Sequence, residues 1–196
     1  MAKPYPAELV RRLTLVDGTR VVVRPIRPED RQIEKEFVEA LSNESKYFRF
    51  MSALRELNES MLNRFTQIDY DQEMALIAVV CENARETEIG VTRYIVSASG
   101  STCEFALAVA DAWQQRGVGT ILLCNLIDAA RARGLKTMEG SVMTSNNKML
   151  GLVRALGFNI QSEGDNSSIK LVTKQLAPLA ISAVGISDSS AADVDL

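Results

Sequence analysis

Residues 74–81, 89–96 and 103–110 are three nearly continuous apolar runs, separated only by the polar stretch 82–88 and the turn-like stretch 97–102. Connections this short cannot hold the crossover that parallel strands need, so the runs read as three adjacent antiparallel strands. Upstream, residues 13–26 form two apolar runs around Asp17-Gly18, a hairpin signal because both positions tolerate positive φ. Between this hairpin and the central strands the period is helical. One helix runs from Pro28-Glu29-Asp30 to about Leu41, with Ile33, Phe37, Val38 and Leu41 on one face; Ser42 and Asn58 stand as caps of two more, the last reaching Ile68.

Downstream of the central strands, Val118, Ile121, Leu122, Leu126 and Ala129 share a helical face over 117–133, and Gly134 is placed to end that helix. A strand at 137–143, a helix over 146–156 closed by Gly157-Phe158, and strands at 158–161 and 168–173 complete the order. This order predicts an α/β (α+β) fold, with a mixed, mostly antiparallel sheet of about six to seven strands and helices on both faces. The predicted body is one domain over 13–175, preceded by an extension at 1–12. Residues 176–196, rich in Ala, Ser and Asp and without an aromatic residue, are expected to be a poorly ordered tail.

The absence of histidine restricts the chemistry more than any residue present does. It removes histidine-activated nucleophiles, histidine general bases and histidine metal sites, and leaves proton transfer to carboxylate, tyrosine, cysteine, lysine or water. No metal is expected. Cys81, Cys103 and Cys124 are odd in number and far apart, as in a reduced cytoplasmic protein. There is no signal-peptide pattern and no apolar stretch long enough to span a bilayer, so no membrane partner is expected. With a net charge of −3 and basic residues spread along the chain, no nucleic-acid partner is expected either. The oligomeric state is open, a homodimer included.

The strand at 103–110 passes directly into Asp-Ala-Trp-Gln-Gln-Arg-Gly-Val-Gly-Thr at 111–120 and then into a helix. A helix N-terminus presents unpaired N–H groups and the positive end of its dipole, and Gly117 and Gly119 remove the Cβ atoms that would keep a bulky anion away. This suits a pyrophosphate. The glycine pattern alone is equally compatible with an ordinary strand-to-helix turn, and it is too short for a dinucleotide fingerprint.

The surrounding residues add to it. Gln114, Gly117 and Gly119 match the Gln/Arg-x-x-Gly-x-Gly/Ala signature, and Asn146-Asn147-Lys148-Met149-Leu150 with Leu156-Gly157-Phe158 form an asparagine-led helix ending in Leu-Gly-Phe. Over about residues 19–175 the chain resembles the GNAT superfamily of N-acetyltransferases. Tyr47-Phe48-Arg49-Phe50, residues 65–70 and Glu104-Phe105-Ala106-Leu107 further resemble the acetyltransferase domain of bacterial protein-lysine acetyltransferases.

The resemblance implies acetyl-CoA as donor cosubstrate and a primary amine, such as a protein lysine, as acceptor. It implies that pantetheine lies along Leu107, Ala108 and Val109 where neighbouring strands part. The pyrophosphate would sit on the N–H groups of Gln115, Arg116, Gly117, Val118, Gly119 and Thr120, beside Gln114, and Asn146 would reach the pantetheine arm. Other readings of the same cradle are a small-amine acetyltransferase, a different acyl donor, or a non-catalytic acetyl-CoA sensor.

A lysine amine is over 99% protonated at neutral pH, and removing its proton costs about 4–5 kcal/mol, so a base is useful. Glu104 is the candidate: it begins a strongly apolar strand just before the cofactor positions, where enclosure would favour its protonated form. Glu73 and Asp71, at the start of a neighbouring strand, are reserves. The tyrosine that many family members carry on the last helix is replaced by Val153, which leaves protonation of the thiolate to water or another group. Cys103 and Cys124 are read as core, and Trp113 as packing. Tyr47, Phe48 and Phe50 line an acceptor pocket or anchor a helix; Arg49 guides an acidic group or is solvated.

Overall fold

The computed structural model describes residues 3–51, 57–82, 84–162 and 168–177. Eight strands among them form one sheet: β1 (Arg11–Thr14), β2 (Arg20–Pro25), β3 (Glu73–Glu82), β4 (Arg85–Val96), β5 (Thr102–Val109), β6 (Thr137–Met143), β7 (Asn159–Ser162) and β8 (Ile169–Gln175). Their spatial order is β1-β2-β3-β4-β5-β6-β8-β7, one or two strands more than the sequence predicts. Every neighbouring pair is antiparallel except β5 and β6. The helices are α1 (Arg31–Ala40), α2 (Asn43–Phe50), α3 (Glu59–Thr66), α4 (Val118–Ala132) and α5 (Asn147–Ala155). None of them is long and apolar enough to cross a membrane.

The continuous apolar run of β3 reflects burial on both of its faces. Met74, Leu76, Ala78 and Val80 enter one core with Leu122, Leu126, Leu150 and Val153 of α4 and α5. Ala75, Ile77 and Val79 enter a second core with Phe37 and Val38 of α1. Alternation of side chains along a strand divides one run between two layers. The predicted caps are present: the Ser42 hydroxyl accepts from the Ser45 amide, and Asn58 accepts from Met61.

Two differences at the ends have simple causes. The first strand begins at Arg11, pairing with Val23, so the predicted extension at 1–12 includes part of the sheet. Further upstream Tyr5 packs edge-on against Tyr70 and Lys3 pairs with Asp71. At the other end Leu176 is buried, and its amide donates to the Lys136 carbonyl. The rest of the predicted tail lies outside the described residues.

Beside β5, the β3–β4 ladder skips a residue. Ala78 pairs with Gly90 and Val79 with Glu88, which leaves Ile89 as a bulge. Such a bulge bends a strand and re-aims its side chains. Here Ile89 enters the α4 core while Glu88 is buried near Glu34 of α1. The Ile89 carbonyl accepts from the Ala110 amide, fixing the end of β5.

Candidate active site

β5 is paired with β4 from Cys103 to Val109, but with β6 only over Thr102, Cys103 and Glu104. Beyond the Glu104–Glu139 pair the parallel strands part. At that point the Phe105 ring lies over Gly140, where an added Cβ would stand 2.8 Å from a ring carbon, and it packs against Phe158 at 5.3 Å between centroids. The ring occupies the fork, and β5 from Phe105 onward has no strand on its β6 side.

The open edge leads to α4. Gly117 adopts φ 90°, a left-handed conformation that L side chains rarely enter, and its carbonyl accepts the first helical bond, from Ile121. The amides of Val118, Gly119 and Thr120 lie in the first helical turn, which has no carbonyl above it to accept them. A cavity of about 560 Å³ lies here, between the β5 edge and the N-termini of α4 and α5. Of the predicted cofactor positions, Leu107, Ala108, Val109, Gln114, Gln115, Gly117, Gly119, Thr120 and Asn146 line it. An added Cβ on Gly119 would sit in ordinary contact with Leu107, Val109 and Leu152, so what its absence leaves open is space in the cavity.

Arg116 and Val118 differ from this set. Arg116 turns outward to pair with Asp17 in the β1–β2 turn and stacks 4.2 Å from the centre of the Trp113 ring. Its hydrogen bond holds the Asp17 carboxyl down at about 2. Val118 is a core residue against Gly90. Neither lines the cavity.

Gln114 has a structural part that its place in the signature does not show. Its amide nitrogen donates to the Val109 carbonyl and the Ser45 hydroxyl, both at 3.2 Å, and its oxygen accepts from Lys148 at 2.7 Å. It thereby ties α2 and α5 to the end of β5. Asn146 likewise spends its side-chain oxygen on capping α5 through the Met149 amide, which leaves its NH₂ group for the cavity.

Asp111 completes the frame by accepting from the Ser42 amide and from the Ser42 and Ser45 hydroxyls. Burial alone would raise its carboxyl, but these bonds outweigh it and hold the carboxyl below the ordinary range. Nothing in the sequence pattern signals Ser45, since its partners are 66 and 69 residues away.

A second cavity, of about 240 Å³, continues from the first and shares with it Phe48, Arg49, Leu107, Asn146 and Met149. Glu104, Ala106 and Ser141 line it from the sheet, and Phe50 from α2. Glu104 is exposed, because the strands have just begun to part; the apolar enclosure expected from the sequence is not built around it. Glu73 and Asp71 line neither cavity. Asp71 is engaged by Lys3 and Arg133, and the Lys3 hydrogen bond, above its other contacts, holds it at about 2.

The aromatic positions separate. Phe48 and Phe50 are lining residues, whereas Tyr47 is 45% exposed outside both cavities. Val153 is fully buried. Burial pushes the Cys103 thiol up to about 12 and also raises Cys124, so both suit packing and neither suits nucleophilic attack. No cluster of three or more metal-ligating residues occurs among the described residues.

A central strand parting from its parallel neighbour at a glycine-built helix N-terminus is the architecture of an acetyl-CoA-dependent transferase. Comparison with known proteins agrees. The chain belongs to the GNAT acetyltransferases: residues 20–159 match the family described as the acetyltransferase (GNAT) domain.

An acetyltransferase of Pseudomonas aeruginosa is 37% identical over 155 residues, which cover 79% of this chain and 83% of that protein. The acetyltransferase Pat of Mycolicibacterium smegmatis is 29% identical over 141 residues, covering 71% of this chain and 41% of Pat. The crystal structure of the GNAT domain of S. lividans PAT superposes with a TM-score of 0.80 at 30% identity, over 88% of this chain and all of that one. The acetyl donor of this family is acetyl-CoA, and the cavity at α4 has the backbone donors and the glycine clearance to receive it.

Proposed function

We propose that this acetyltransferase moves the acetyl group to the ε-amine of a protein lysine by direct attack, with Glu104 as the general base. The observation that carries the reading is the position of Glu104. It is the carboxylate lining the second cavity, which meets the donor cavity at Leu107, three residues further along β5. The likeness of Tyr47-Phe48-Arg49-Phe50 and Glu104-Phe105-Ala106-Leu107 to protein-lysine acetyltransferases supports a lysine acceptor.

Acetyl-CoA supplies the thioester. The chain supplies its placement: amides of Gly117 to Thr120 for the pyrophosphate, the edge Leu107–Val109 and the Asn146 NH₂ for the pantetheine. The exposed Glu104 takes the ammonium proton directly or through one water. The neutral amine then forms the C–N bond as the C–S bond breaks. The departing thiolate has a pKa near 8.5 and needs little acid assistance, which fits a core valine at position 153.

Glu104→Gln tests the assignment because it keeps the shape and removes the base. Turnover on lysine peptides, followed by mass spectrometry, is expected to fall by roughly 10²–10⁴-fold, while calorimetric acetyl-CoA affinity stays within about twofold. Unchanged turnover would sink the base assignment. Acetylation of small amines but of no lysine peptide would sink the acceptor assignment.

A further inference from the structure

The second cavity holds two charges that do not neutralise each other. Glu104 projects from β5 and Arg49 from α2, and among the described residues neither has a salt-bridge or side-chain hydrogen-bond partner. They lie on facing elements of one cavity of about 240 Å³. On the sheet side Glu104 is the one charged lining residue, among Phe105, Ala106, Leu107, Ser141 and Val142.

Arg49 is held without using its donors. Its guanidinium lies 5.2 Å from the centre of the Phe50 ring; Phe50 stacks on Phe65 at 6.1 Å and 16°; and the Arg93 guanidinium lies 4.9 Å from the far ring, anchored by a 2.7 Å bond to the Phe65 carbonyl. Such a stack fixes a guanidinium plane through ring faces and leaves its five N–H groups for other partners.

Charge balance points the same way. Behind Arg49, Glu34 of α1 is 2% exposed and Glu88 of β4 is 4% exposed, and three of their four carboxyl oxygens lack a donor. Burial raises both, and the Glu34 charge raises Glu88 further. Arg49 and Arg93 both act on the Glu34 carboxyl. Burial and then the charge of Arg93 push Arg49 down to about 10, as befits a cation short of counter-charge. A guanidinium with open donors and one carboxylate on the facing strand form a slot for a dipolar group.

We infer that the acceptor carries a carboxylate close to its reactive amine, with the ammonium at Glu104 and the carboxylate on Arg49. The inference rests on the acceptor reading of the second cavity proposed above. Two sources offer this chemistry: an acidic residue flanking the lysine in a protein, or the α-carboxylate of the acetylated lysine itself.

The test compares kcat/KM on matched acceptors. One arm uses lysine peptides with Glu or Gln beside the lysine; the other uses Nα-blocked lysine with a free carboxylate or as its amide. Wild type is expected to prefer the carboxylate by about tenfold or more in one arm, the scale of one charge-assisted hydrogen bond, and that arm names the source. Arg49→Gln is expected to bring the ratio near one, and Arg49→Lys to retain part of it, since the charge stays and the fork is lost. Acetyl-CoA titration of each variant reports that it is folded.

Equal acetylation of both members of each pair by wild type overturns the carboxylate assignment and leaves the lysine reading standing. A preference that survives Arg49→Gln overturns the role of Arg49. Acetylation of no lysine acceptor overturns both readings, and a carboxylate preference with full turnover in Glu104→Gln overturns only the base.

Discussion

The two cavities that meet at Leu107 are built by different means. The first cavity is organised around backbone features: an open strand edge, a glycine at φ 90° and the first turn of a helix. Two of its polar side chains, Gln114 and Asn146, spend much of their hydrogen-bonding capacity on holding elements together. The second cavity, proposed above to take the acceptor, is characterised by side chains, with Phe48, Arg49 and Phe50 on one short helix and Glu104 on the facing strand. A site for one fixed ligand can be written in local backbone demands. A site whose ligand differs among related proteins is more readily written in side chains, which change without disturbing the sheet.

If that contrast is right, damage at the two ends should separate. The largest effect is expected from Gly119→Glu, which places a carboxylate in the donor cavity against the anion it receives. Acetyl-CoA affinity by calorimetry should fall by about 100-fold or more, about 2.7 kcal/mol, whereas the Glu-over-Gln acceptor ratio, measured at saturating donor, should hold. A shifted ratio would show that the two cavities are coupled and would break the comparison.

The boundary between the cavities is the fork at Phe105. Gly140→Ala forces a methyl to within 2.8 Å of that ring. Overpacking of this kind costs about 1–3 kcal/mol, and each kcal/mol is worth about 2–4 °C of melting temperature in a chain of this size. Scanning calorimetry should show that loss, and Phe105→Leu in the same chain should recover part of it. An unchanged melting temperature would mean that the ring does not fill the fork.

The smallest effect is expected at the buried carboxyl pair. A carboxyl raised by folding stabilises the fold fully below its unfolded value near 4.3, and that contribution is lost as pH rises through the folded value. Burial and Glu34 raise Glu88 in this way. Glu88→Gln cannot ionise, so it should melt above wild type at pH 8, with the difference shrinking as the pH falls toward 4. A constant offset across pH would show that folding does not raise the Glu88 carboxyl.

Periodicity locates the elements well because each depends on near neighbours. The hairpin at Asp17-Gly18, the caps Ser42 and Asn58, and the helix closed by Gly134 all stand where the sequence puts them. Strand ends are less legible. The polar stretch 82–88 reads as a loop, yet β4 begins at Arg85, because Glu86 pairs with buried Arg24 and Glu88 is enclosed under α1. Polar residues stabilised by distant partners mimic loop composition.

The site divides along the same line. Gly117 is legible because other residues rarely enter its φ of 90°, Gly119 because it completes the signature, and Glu104 because it interrupts an apolar run. Gly140 and Ser45 are not, since one is set by a ring on another strand and the other by Asp111 and Gln114. The exposure of Glu104 also escapes the sequence: where a strand loses its neighbour is a fact about two strands. The sequence by itself determined the order of elements and the donor turn, because backbone conformation is chosen within a few residues. Only the tertiary structure decided where β5 and β6 part, which charges face each other across the second cavity and which are neutralised, because those outcomes depend on side chains that the fold brings together from far along the chain.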